Sequence, residues 1–229
     1  MRWMALLLVI TATPVAGGDI DATFRWLSPA SFAEPTPNDP TLRAQRDLRG
    51  AKFNRPGAPG IQEPPPAIAE IPTITHWNAH LPEIPAAQSA AVVLAKVVAG
   101  ATHLSPDKST AYSEFGIRVE RVFKAPGGRD IRPADTLAAQ RAGGIVVFPS
   151  GRRLAFSRVM DAEAPERNRR YVLFLEWDQV SDTFPIITGY ALIGGRVRPL
   201  DVGRFSQMRG RTVAAFLTAV EQAVGGGSE

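Results

Sequence analysis

The chain has 229 residues, with 26 Lys+Arg against 22 Asp+Glu, 20 glycines, 20 prolines and no cysteine. A hydrophobic share of 45% excludes a wholly disordered chain. The missing cysteine excludes disulfides, thiolate metal sites, iron–sulfur clusters and thiol nucleophiles, and a formal charge of +4 is too small to demand a polyanionic partner.

Residues 1–18 read as a secretory signal peptide. Arg2 supplies the positive charge, Met4 to Ile10 an apolar run, and Ala16 and Gly18 the small residues before a cut near Gly18. A bilayer span needs about 20 apolar residues, and Thr11, Thr13 and Pro14 interrupt this run. The expectation is a secreted or periplasmic protein with no membrane span after signal removal. An exported domain without cysteine relies on packing for its stability.

Residues 19–88 read as a Pro-rich, largely irregular arm. They hold twelve of the prolines, including Pro64-Pro65-Pro66, and carry 6 basic against 8 acidic groups. One short helix is predicted over 40–49, with Asp39 as N-cap, Pro40 at the first helical position and Gly50 as the stop. Arg43, Arg46, Arg49, Lys52 and Arg55 recur every third residue and read as a solvated basic face.

Residues 89–203 read as a β-barrel domain, and residues 89–229 carry 19 basic against 14 acidic groups. Ala90 to Ala101, rich in valine, predicts a long strand. Phe115, Ile117 and Val119 alternate with polar neighbours and then slip at Arg121, the mark of a β-bulge. Ile145 to Phe148 and Leu154 to Phe156 flank Pro149-Ser150-Gly151 as a hairpin. Tyr171 to Leu175 is apolar on both faces, and Gly194-Gly195 joins a second hairpin of Ile186 to Ile193 and Arg196 to Leu200. In the 204–224 region Val213, Phe216, Leu217, Val220 and Val224 fall at helical spacing, stopped by Gly225; residues 225–229 read as a flexible tail. The helix is expected to lay its stripe on the 171–175 strand. The fold class is mainly β: a small, bulged OB-fold-like barrel with a C-terminal amphipathic helix, preceded by the arm. An immunoglobulin-like sandwich is the alternative.

Val92 to Lys96, Tyr112 to Glu120, Arg170 to Leu175, and Ile187-Thr188-Gly189-Tyr190 to Pro199-Leu200-Asp201 together resemble a group of exported bacterial β-barrel proteins of unassigned function. The resemblance spans roughly 76–224 and implies the barrel and export, with no catalytic residues to carry over. The chain departs from the group at Ala162 to Asn168, where the group's loop usually carries glycines.

Chemical signals are sparse. His76 and His80 stand four apart, the spacing of a metal pair on a helix, with His103 the one further histidine. The glutamate that zinc proteases place after the first histidine is replaced by Trp77. Ser105-Pro106-Asp107-Lys108 matches Ser-x-x-Lys, but it joins two strands and lacks its companion motifs. Glu114, Glu120, Asp161 and Glu163 read as solvated carboxylates. Arg152, Arg153 and Arg158 gather near one hairpin as a possible anion site, with Phe148 and Phe156 as stacking candidates. These features predict a non-enzymatic binding module, without cofactor, whose partner is a protein or a cell-envelope polymer. The alternatives are a metal-assisted hydrolase using His76 and His80, and an anion- or single-stranded nucleic-acid-binding OB-fold. Export argues against nucleic acid as a partner.

Overall fold

The computed structural model describes residues 26–33, 38–63, 80–157 and 163–226. Residues 1–18, which the sequence reads as a signal peptide, and Pro64-Pro65-Pro66, His76, Trp77, Asp161 and Arg158 lie outside the described residues. In chain order the elements are β1 (Ala30–Ser31), α1 (Pro40–Gly50), β2 (Ala91–Leu104), β3 (Ala111–Lys124), β4 (Thr136–Val147), β5 (Arg153–Ser157), β6 (Arg170–Leu175), β7 (Phe184–Ile193), β8 (Arg196–Pro199) and α2 (Val213–Gly225). Short 3₁₀ turns follow α1 (Ala51–Phe53) and precede α2 (Gly203–Met208).

Five strands close a barrel. β2 pairs antiparallel with β3 and β6, β3 with β4, and β6 with β7; the parallel pair β4–β7 completes the ring. Numbered within the barrel, that order is first, second, third, fifth, fourth and back to the first, the Greek-key course of an OB-fold. The closing seam is short, with Ala139 opposite Phe184 and Gln140 opposite Pro185. Beyond it, Arg141 of β4 forms an ion pair with Asp201, which also accepts a 2.8 Å hydrogen bond from Thr188 Oγ1 of β7. Side chains thus join β4 to β7 where backbone pairing stops.

Bulges supply the bend. In the β2–β3 ladder Leu94 faces Arg121 and Ala95 faces Val119, leaving Glu120 unpaired at the slip expected there. Extra residues between Val92/Val93 and Val97/Ala99 repeat the device, as a small barrel requires of long strands.

The interior is filled by period-2 residues, among them Val93, Val97, Phe115, Ile117, Leu137, Leu173, Phe184 and Ile186. Leu27 reaches this core from the N-terminal segment, and Trp26 packs beside Phe115. Outside the barrel, α2 packs Phe216 on Tyr190 and joins Phe216 and Val220 to an apolar cluster that includes Val172 and Phe174 of the doubly apolar strand. Thr212 caps α2 through Ala215 N. The helix ends at Gly225, and the cap Gly226, with a right-handed φ of −75°, does not adopt a left-handed cap.

β4 does double duty. Residues 136–142 pair with β3, whereas 143–147 pair with β5 and part of that stretch with β1. The strand turns at Gly143 and Gly144, with φ of 107° and 147°. A Cβ on Gly144 would lie 2.4 Å from Thr102 Cγ2, so the position admits glycine alone. Buried hydroxyls take up the disturbed backbone: Ser113 Oγ donates to Gly143 O, and Thr102 Oγ1 accepts from Ile145 N. This extension shelters a third apolar cluster containing Leu104, Val146, Phe148, Leu154, Ala30 and Ile61.

Candidate binding face

On β3 the odd-numbered Ser113, Phe115, Ile117 and Val119 are buried, the last three in the barrel core, so Tyr112 and Glu114 lie on the outer face. Gln140 of β4 shares that face, yet it is 1% exposed. Glu114 and Thr183 bond its amide, and Arg49 at the end of α1 and Lys52 just after it reach both of these. The β2–β3 loop (residues 105–110) and the β6–β7 loop (residues 176–183) flank this face, and the segment that follows α1 bridges both.

Asp39 caps α1 by accepting from Thr41 N and Leu42 N. The α-helix stops at the residue expected. Gly50 is its last residue, with an ordinary φ of −93°, and the chain tightens into Ala51–Phe53. The glycine also serves approach: a Cβ there would meet Pro106 Cδ at 2.8 Å and the Tyr112 hydroxyl at 3.3 Å. Gly50 is also the one buried residue of α1.

From this contact a polar chain runs across the face. Arg49 Nη1 lies 3.2 Å from Glu114 Oε1. Gln140 Nε2 donates to Glu114 Oε2 at 3.0 Å, and Thr183 Oγ1 donates to Gln140 Oε1 at 3.1 Å. Lys52 Nζ donates to Thr183 Oγ1 and to Asp178 Oδ2, both at 2.7 Å, and Ser181 Oγ donates to Asp178 at 2.6 Å. Phe53 stacks on Tyr112, ring centroids 4.4 Å apart and planes inclined by 8°. On the other flank Thr110 Oγ1 donates to Phe53 O, Arg55 N donates to Ser109 Oγ, and Asp107 N donates to Asn54 Oδ1.

Charge on the face follows from these contacts. Burial alone pushes the Asp178 carboxyl up, but hydrogen bonds from Lys52 and Ser181, with the ammonium charge, outweigh it and hold it at about 2. Burial first, and the neighbouring Glu114 charge second, push the Tyr112 phenol up to about 12. Asp107 is held below the usual carboxylate value: burial raises it, but hydrogen bonds from Ser109 and Ser105 prevail. The barrel therefore contributes carboxylates and neutral acceptors, and the segment contributes the cations.

The solvated basic face expected over 43–55 is corrected in part: Arg49 and Lys52 are committed to barrel carboxylates. Glu114, read from sequence as solvated, is half-buried and bonded on both oxygens. Glu120 pairs with Arg170, and Glu163 with Arg198. Ser105 Oγ donates to Asp107 while Lys108 Nζ turns away to Phe32 O, so the Ser-x-x-Lys match is a turn without catalytic geometry. Lys52 Nζ stands 3.4 Å from Ser181 Oγ, but as an ammonium donating to Asp178 it offers no lone pair to activate the hydroxyl.

His80 is exposed, its expected partner His76 falls outside the described residues, and His103 lies 5.4 Å from the Tyr112 ring. Among the described residues no three His, Cys, Asp or Glu converge as a metal site. Arg152 stands 4.0 Å from Glu63, Arg153 is exposed, and Arg158 is outside the described residues. Phe148 is buried in the third cluster and Phe156 packs against it, so neither forms a stacking platform. Among the described residues no helix is long and apolar enough to cross a membrane.

Sequence reasoning missed Gln140, Thr183 and Asp178. Residues 136–144 (Thr-Leu-Ala-Ala-Gln-Arg-Ala-Gly-Gly) lack the β-branched alternation of a strand, and the one usable signal was the basic spacing of Arg49 and Lys52. Comparison with family models, with curated proteins and with solved structures finds no match to this chain.

Proposed function

We propose that the chain is an exported, non-enzymatic binding module whose partner is a protein. The observation that carries this reading is that the outer face of β3 and β4 already holds polypeptide through side-chain and main-chain contacts. OB-folds use this strand face and its two flanking loops for ligands. Here the face carries Glu114, Asp178 and Asp107, which repel the phosphates that a nucleic-acid-binding OB-fold attracts.

The test is a titration of the purified mature protein against peptide, glycan and oligonucleotide panels, run beside peptide, ester and glycan substrates. Saturable peptide binding without turnover is expected. Turnover that a single polar substitution abolishes would overturn the reading, as would salt-dependent oligonucleotide binding in place of peptide binding.

A further inference from the structure

We infer that the outer face of β3 and β4, between the β2–β3 and β6–β7 loops, is a binding site for a cationic peptide segment bearing an aromatic ring, and that residues 49–55 are its tethered resident. This rests on the binding-module reading and narrows it to a ligand class and a means of control.

Three observations carry it. First, the face presents a complete set of partners for such a segment. Glu114 and Asp178 take a guanidinium and an ammonium, Tyr112 takes a ring, Thr110 donates to a main-chain carbonyl, and Ser109 and Asp107 accept a main-chain N–H. Recognition through both backbone and side chains is the form that peptide ligands take. Second, the resident is held by polar contacts rather than by a buried apolar stripe. α1 buries Gly50 alone, Phe53 is half-buried, and residues 56–60 are exposed. A peptide offering the same groups competes on equal terms with such a resident, apart from the effective concentration that tethering adds.

Third, the resident is anchored at both ends by contacts outside residues 49–55. Upstream, Phe32 N donates to Val147 O, and Ala30 packs in the third cluster. Downstream, Ile61 is buried in that cluster and Ile61 N donates to Lys108 O at 2.8 Å. Residues 38–60 can lift away while the barrel, its third cluster and α2 keep their packing. The segment is then a strap over the site, and a partner must displace it.

The test uses the full mature chain. A fluorescent peptide with the sequence of residues 39–57 is titrated into wild type and into the K52E/F53A double variant, with a K52E/F53A peptide as control. The variant is expected to bind the native-sequence peptide at least tenfold more tightly than wild type does, and the control peptide weakly. Hydrogen exchange supplies the second measurement and needs no variant: excess native-sequence peptide should raise exchange at 49–55 in wild type and leave β3 unchanged. Equal binding by wild type and variant overturns self-occlusion. No binding by a folded variant whose 49–55 amides exchange freely overturns the site. Either result, obtained while the titration panel still shows another peptide bound without turnover, removes this inference and leaves the module reading intact.

Discussion

The two helices meet the barrel by opposite chemistries. α2 buries Phe216 and Val220 completely in an apolar cluster with residues of β2, β6, β7 and β8, with the Tyr190 ring 4.8 Å from Phe216. α1 approaches through a glycine, and the turn after it is held by ion pairs, hydrogen bonds and one ring stack. Burying a large apolar side chain stabilises by about 1.5–3 kcal/mol, whereas a part-exposed ion pair contributes about 0.2–1 kcal/mol. A Phe–Tyr stack adds about 0.5–1.5 kcal/mol. The first contact belongs to the folded unit; the second is weak enough to exchange with a ligand. An isolated helix of eleven residues is also marginal in water, so α1 depends on its cap and its docked last turn.

The comparison can be broken at several strengths. Phe216→Ala should lower stability by about 3–5 kcal/mol in thermal or denaturant unfolding, because the ring fills a closed apolar site. A loss under about 1 kcal/mol would make α2 as dispensable as α1. Asp201→Ala tests whether burial, rather than polarity, decides. Arg141 and Asp201 side chains are 13% and 8% exposed, and removing one partner leaves a buried charge, a loss of about 3 kcal/mol by the same assays. If that variant is as stable as wild type, the β4–β7 seam does not need its side-chain closure.

Gly50→Val sharpens the other side. Its Cβ would press on the Pro106 ring and lift the turn, raising hydrogen exchange at 49–55 while global stability falls by about 1 kcal/mol or less. A large global loss would make the strap part of the core. The smallest effect is pH. The Asp178 carboxyl lies at about 2 when docked, against 3.8 free. Its contribution is therefore complete above about pH 4 and is lost as pH falls through about 2. Strap exchange, corrected for intrinsic rates, should stay flat from neutral pH to about pH 4 and rise below it. A rise near neutral pH would exclude Asp178 as the holding group. The Tyr112 phenol behaves in the opposite sense: its stabilising contribution is present below pH 10 and lost as pH rises through about 12, which phenolate absorbance can follow.

Much of the barrel was legible because its signals are local. The Glu120 bulge, the Gly194-Gly195 turn with φ of 56° and 74°, the Pro149-Ser150-Gly151 hairpin and the stripe on α2 each follow from a few neighbouring residues. The first half of β4 was not legible. Alanine, glutamine and glycine have weak strand preference, and that stretch is a strand because β3 and β7 hold it. The face it helps to build was illegible for the same reason. Lys52 and Asp178 are 126 positions apart, and nothing in the spacing of either announces the other.

By itself, the sequence determined the periods, the turns and the cap at Asp39, since these depend on side-chain shape and short-range backbone preference, and its lack of cysteine excluded disulfides. The tertiary structure alone decided that the strands close with the parallel β4–β7 seam, and that Gly50 is a point of contact as well as the end of α1. It also decided that two cations of an outwardly solvated helix segment settle on barrel carboxylates. Those outcomes depend on groups distant in sequence meeting in space, where burial sets the worth of each polar contact.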